Sequence, residues 1–171
     1  MNAIKIEKYD MPIVKALSAC TDKDSGRPFV QVIHYDKKEG ALVATCGKNM
    51  LVWRSIPEGM KDKLKENDNY TLDGNYLVAV DTDITYPKWQ RVVPGKEGAS
   101  ELDIACYNTG KKDKRAADIL GTAACAGVRL NFEYLRPISG LELDKLYVRS
   151  LDTAVLAEGK GIQFVIMPIA S

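Results

Sequence analysis

Asp81 and Asp83 stand two residues apart in a polar stretch, a spacing that puts both carboxylates on one face of an extended strand, where they could share a divalent cation. No third ligand stands near them in the chain. Cys20, Cys46, Cys106 and Cys125 are widely separated and form no C-x-x-C pair, and His34 is the single histidine. A zinc site draws paired thiolates from short turns, so buried free thiols are expected instead. Gly110-Lys111 lacks both the upstream glycine and the Ser/Thr of a nucleotide-binding loop. No Ser or Cys sits in a nucleophile motif, and His34 lies inside a run of alternating residues where a structural role is expected. The chemistry therefore points away from catalysis, with no cofactor and no metal, and a small metal-dependent hydrolase is the alternative from that class.

The elements that would position a binding site instead are numerous. The chain has 171 residues, 46% hydrophobic and 27% charged, enough for one packed domain and ordinary for a globular protein. No uninterrupted apolar stretch approaches the roughly 18 residues of a membrane span, and the start alternates charges where a secretory signal would be apolar, so a cytoplasmic location without membrane partners is expected. With a formal charge of +1, any nucleic-acid contact must come from a local patch of Lys and Arg.

Ile4–Tyr9 alternates in the period of a half-buried strand. Asp10 then suits a helix N-cap and Pro12 a first turn, with Ile13, Val14, Leu17 and Cys20 on one face and a stop at Asp22–Gly26. Phe29–Tyr35 and Ala41–Thr45 read as strands joined by Asp36–Gly40, and Met50–Trp53 as a third. The segment Pro57–Leu120 is more polar, with a strand pair at Asn69–Leu72 and Tyr76–Val80 around Asp73-Gly74, and Gly110–Arg115 as a solvated loop or the start of a helix. After Gly127 the opening rhythm returns: a strand at Val128–Phe132, a short helical turn near Tyr134–Leu141 that Pro137 keeps short, and strands at Lys145–Ser150, Thr153–Ala157 and Ile162–Met167. Strand, helix, strand, strand, strand thus occurs twice.

Three segments give this architecture a family likeness. Leu42-Val-Ala-Thr-Cys-Gly-Lys-Asn-Met-Leu51 resembles the strand-turn-strand of the middle domain of the bacterial sliding clamp, the β subunit of DNA polymerase III, where Leu-x-Ala-Thr-Asp-Gly-His-Arg-Leu-Ala is usual. Cys46 stands for the customary Asp, and Lys48-Asn49 for His-Arg. Tyr86-Pro-Lys-Trp-Gln-Arg-Val-Val-Pro94 is similar to the family's Phe-Pro-Asp-Tyr-Arg-Arg-Val-x-Pro, the most specific of the three, and Phe164-Val-Ile-Met-Pro-Ile169 to its closing Tyr-Val-Val-Met-Pro-Met. Leu130-Asn-Phe-Glu-Tyr-Leu135 also resembles the Phe-Asn-x-x-Tyr-Leu opening a clamp-domain helix.

The resemblance implies an α+β fold with two strand-helix-strand-strand-strand halves, antiparallel sheets and helices on one face, in a single clamp-like domain over 1–171 whose segment 57–120 matches poorly. It implies a cleft for short apolar linear peptides of polymerases, the clamp loader and repair proteins, using Thr45, Gly47, Lys48, Asn49, Met50, Pro87, Arg91, Val92, Val165, Met167, Pro168 and Ile169. Val165, Met167 and Ile169 also read as plain core or edge-strand residues. Clamp helices face duplex DNA through phosphates without reading sequence, which here would fall to Lys15, Lys23, Arg27 and Arg136, a thin patch supporting weak affinity. A clamp subunit has three domains and is more than twice as long, so ring formation is in doubt. Either a homo-oligomer of another stoichiometry is expected, or a decoy or regulator of the kind a phage or mobile element encodes, which does not encircle DNA.

Overall fold

Hydrophobic side chains close most of the strands by pairing at short turns, and two compact units result. The computed structural model describes residues 3–65, 68–80, 84–104 and 114–169. One unit is Met1–Lys88 and the other Trp89–Ser171.

The first unit opens with β1 (Ala3–Lys5) and α1 (Met11–Ala19), continues through β2 (Ile33–Asp36), β3 (Ala41–Thr45) and β4 (Asn49–Trp53), and after the single turn α2 (Glu58–Lys61) closes with β5 (Asn69–Asp73) and β6 (Tyr76–Ala79). Its strand order is β1-β6-β5-β2-β3-β4, antiparallel throughout, so the first strand pairs with the last. The helix packs across β3, β4 and β5, with Val14 and Leu17 fully buried beneath it. Each fully buried aliphatic side chain of this kind contributes about 1.5–3 kcal/mol. Pro12 sits in the first turn as expected, but Asp10 makes no side-chain cap bond, and the helix stops at Cys20 before the Asp22–Gly26 run. The expected strand Phe29–Tyr35 is a 3₁₀ turn at Pro28–Gln31 followed by β2, because Pro28 favours a turn start and Gln31 reaches back to the Ser25 carbonyl. Beyond β2, Glu39 N–H donates to Asp36 Oδ1 (3.1 Å) and Gly40 takes a φ of 60°, a left-handed turn that glycine enters without strain.

The second unit runs β7 (Ser100–Asp103), α3 (Lys114–Cys125), α4 (Phe132–Leu135), a 3₁₀ turn at Arg136–Ile138, β8 (Lys145–Val148), β9 (Val155–Gly159) and β10 (Ile162–Ile166). The order is β10-β9-β8-β7, again antiparallel, with α3 against β8 and α4 against α3. The strand-helix-strand-strand-strand rhythm therefore holds, but its first two members are β7 and α3. Val128–Phe132 is not a strand: Asn131 Oδ1 accepts from Glu133 N–H (3.0 Å) and starts α4 inside that segment. Just before it, α3 ends in a Schellman turn. Gly127 N–H donates to the Ala124 carbonyl and Val128 N–H to that of Ala123, both at 2.9 Å, with Gly127 at φ 79°.

His34 is buried in the first unit, its ring stacked on Tyr86 with centroids 4.4 Å apart. Asn69 Nδ2 donates to the Ile84 carbonyl, which turns Oδ1 toward His34 Nδ1 at 3.0 Å and makes that nitrogen the donor. Burial pushes the imidazole below its ordinary range, outweighing the Asn69 bond and the Asp36 charge. A depressed histidine contributes stability that is complete above about pH 6.5 and is lost as pH falls, since the unfolded chain then binds the proton more readily. The melting temperature should accordingly drop from pH 7.5 to 5.5, and His34→Gln should flatten that drop. An equal pH dependence in the variant would contradict it.

Candidate peptide-binding site

The β3–β4 turn is built from its own polar atoms. Thr45 Oγ1 donates to the Asn49 carbonyl (2.6 Å) and accepts from Gly47 N–H (3.0 Å), while Cys46 Sγ donates to Asn49 Oδ1 (3.2 Å). Gly47 lies at φ 86°, and a Cβ there would stand 3.1 Å from Arg27 Nη2. Two demands thus converge on glycine: a left-handed backbone and room for the guanidinium. Lys48 is exposed at the tip, whereas Asn49 and Met50 are buried beneath it. Arg27 is seated against this turn and lies over Phe29 at 5.8 Å.

The Tyr86–Pro94 segment is held at two points. Tyr86 is wedged between His34 and Phe29 in the first unit, and Trp89 is buried in the second. Pro87, Arg91 and Val92 are exposed, Val92 N–H closing the turn on the Trp89 carbonyl at 2.9 Å. At the chain end, Val165 is buried within β10, Pro168 is half-buried, and Met167 and Ile169 are 45% and 46% exposed. Large apolar side chains that exposed are candidate contact points rather than core. Ile169 N–H donates to the Arg129 carbonyl at 2.8 Å, a bond no motif pointed to.

Of the basic residues, Lys15, Lys23 and Arg27 are exposed in the first unit. Arg136, in the second, forms an ion pair with Glu133 at 3.1 Å. Burial raises the Cys20 thiol far above its ordinary value, which keeps it protonated and a poor nucleophile. Asp81, Asp83 and Cys106 lie outside the described residues, as does Gly110–Asp113. Among the described residues no group of three His, Cys, Asp or Glu is placed to hold a metal ion, and no helix is long and apolar enough to cross a membrane.

No family model and no curated protein matches this chain. Solved structures do. The β chain of DNA polymerase III from Streptococcus pneumoniae superposes with a TM-score of 0.63 at 13% identity, over 99% of this chain and 64% of that one. The Borrelia burgdorferi subunit, in complex with a natural product, gives 0.59 at 14%, over 99% and 64%. The Helicobacter pylori β clamp bound to a DNA ligase peptide gives 0.56 at 12%, over 98% and 65%.

The fold is that of a bacterial sliding clamp. The chain spans somewhat under two thirds of the length of these clamps, 64–65%. The clamp fold is α+β, and both units show its antiparallel strands with helices packed on the sheet. At identities of 12–14% the likeness resides in topology and in a few short segments, which is why the three motifs were legible while whole-chain sequence comparison finds nothing.

Proposed function

We propose that this chain is a non-enzymatic, clamp-fold accessory protein of DNA replication that acts in the cytoplasm by binding short linear peptides with two apolar anchors. The peptides would come from a polymerase, the clamp loader or repair proteins. Arg91, Val92, Val165, Met167, Pro168 and Ile169 of the second unit supply the binding surface, and Thr45, Gly47, Lys48, Asn49, Met50 and Pro87 of the first are the further positions that the resemblance implies. The observation that carries this reading is the exposure of Val92, Met167 and Ile169, three large apolar side chains on the very segments that resemble the clamp motifs. Val165, being buried, serves as floor beneath the contact residues. The Helicobacter clamp bound to a ligase peptide supports the same class of ligand. Burying two anchors contributes roughly 3–6 kcal/mol before ordering costs, which fits micromolar affinity. Isothermal titration tests it: a two-anchor peptide should bind and its double-alanine counterpart should not. Heat of equal size from both peptides would reject the reading.

Duplex DNA is a weaker partner in this account. Three exposed cations in the first unit and a locally paired Arg136 neutralise few phosphates, so binding should be sequence-independent and weak. Fluorescence anisotropy with a labelled duplex at 50 and at about 200 mM salt should show a loss of roughly an order of magnitude or more. Tight binding that ignores salt would contradict this.

A further inference from the structure

A cleft of about 180 Å³ lies in the first unit between the turn that leads from β1 into α1 and the single turn α2. Backbone bonds fix both sides of it. Asp10 N–H and Met11 N–H donate to the Glu7 carbonyl, each at 3.1 Å, and Met60 N–H donates to that of Pro57 at 2.9 Å. The buried Met60 and the exposed Pro57 supply a small apolar wall. The charged lining consists of two carboxylates, Glu7 and Asp10, and two ammonium groups, Lys5 and Lys63. Sites for drug-sized ligands start at about 300 Å³, so this volume suits a molecule of only a few heavy atoms.

The charges say what would occupy it. Although groups of both signs line one small cleft, none of the four forms an ion pair among the described residues. Asp10 stands at the N-cap position of α1 without making the side-chain bond usual there, so its carboxylate is uncommitted. Burial, and then the charge of Glu7, raise that carboxyl above its ordinary value, which marks a place where an arriving cation is favoured. Lys5 and Lys63 offer charge-assisted donors to an anion in the same space. A simple cation meets the repulsion of the two lysines, and a simple anion that of the two carboxylates. A molecule carrying both charges escapes both penalties.

We propose that this cleft binds a free aliphatic α-amino acid, with its ammonium on Asp10 and Glu7, its carboxylate on Lys5 and Lys63, and its side chain against Met60. The site shares no residue with the peptide surface proposed above and stands or falls independently of it. Because the charged groups are mostly solvated, affinity in the millimolar range is expected. The test is an NMR titration of the ¹⁵N-labelled full chain with L-valine, with isobutylamine, which lacks the carboxylate, and with isovalerate, which lacks the ammonium. Valine should shift the amides of residues 7–11 and 57–63, and each single-charge analogue should bind roughly fivefold more weakly or worse. Asp10→Asn and Lys63→Gln, each first shown to melt as the wild type does, should weaken valine binding by a similar factor, while Lys15→Gln at an exposed position of α1 should leave it unchanged. No shift with valine at concentrations tenfold above the millimolar range, equal binding of either analogue, or full affinity in either folded cleft variant would overturn the proposal.

Discussion

Replacing Met167 by lysine should weaken the binding of a two-anchor peptide by about 2 kcal/mol or more, roughly thirtyfold, without unfolding the protein. Met167 follows β10 and is 45% exposed, so the free chain can keep an ammonium there in water. Once a peptide anchor covers the position, that charge loses its hydration, and the cost falls on the complex alone. Glu58→Ala is the matched control, since the Glu58 carboxylate is exposed, forms an ion pair with Lys61 at 2.8 Å and belongs to none of the three segments. Titration of both variants, each shown to melt as the wild type does, gives the comparison. Equal affinities would place Met167 outside the contact surface.

Truncating Phe164 to alanine should cost about 3–5 kcal/mol of folding stability, the range for deleting a buried aromatic ring. Phe164 is fully buried in β10, opposite Ala157 of β9, where the small partner leaves space that the ring fills. Little nearby can close the resulting void, because Leu156, Val165 and Ile166 are already buried in place. Since a domain is stable by only about 5–15 kcal/mol, this one change could leave a substantial unfolded fraction. Val92→Ala, at an exposed position of the same unit, should cost within about 0.5 kcal/mol. Urea unfolding of the two variants measures the contrast, and a Phe164→Ala cost below about 1 kcal/mol would contradict the packing described.

Those two residues also mark what the letters alone could convey. The antiparallel hairpins were legible because apolar runs and turn residues coincide: Ala41–Thr45 with Asn49–Trp53, and Asn69–Asp73 with Tyr76–Ala79 around Gly74. The start of the second unit was not. β7 is Ser-Glu-Leu-Asp, with Leu102 its only apolar residue, and what holds it is pairing to β8 and the bonds of Glu101 and Asp103 to Lys145, which come from distant sequence. The helix α3 was hidden by its charged start, although Ala116, Ile119 and Ala123 fall at helical spacing and are fully buried. Val128–Phe132 looked like a strand because it has the composition of one. Asn131 decides otherwise, by capping the next helix.

Within the candidate surface, the motifs located the segments but not the roles of their side chains. Val165 lies between Phe164 and Ile166 in a strand whose residues on both faces are buried, so alternation could not separate a wall from the core. The seating of Arg27 against Gly47 joins positions twenty residues apart and had no signal in spacing. The Ile169–Arg129 bond likewise depends on the chain ending its last strand beside residues 128–130, which only the tertiary structure specifies.

The most direct test of the central claim is a methyl NMR titration of the protein labelled at its five methionines with a two-anchor peptide. Peptide binding at the proposed surface should shift Met167 strongly, while Met11 on α1 and Met60 on α2 stay still. Met167 unmoved at saturating concentrations of several such peptides, or shifts confined to Met11 and Met60, would contradict it.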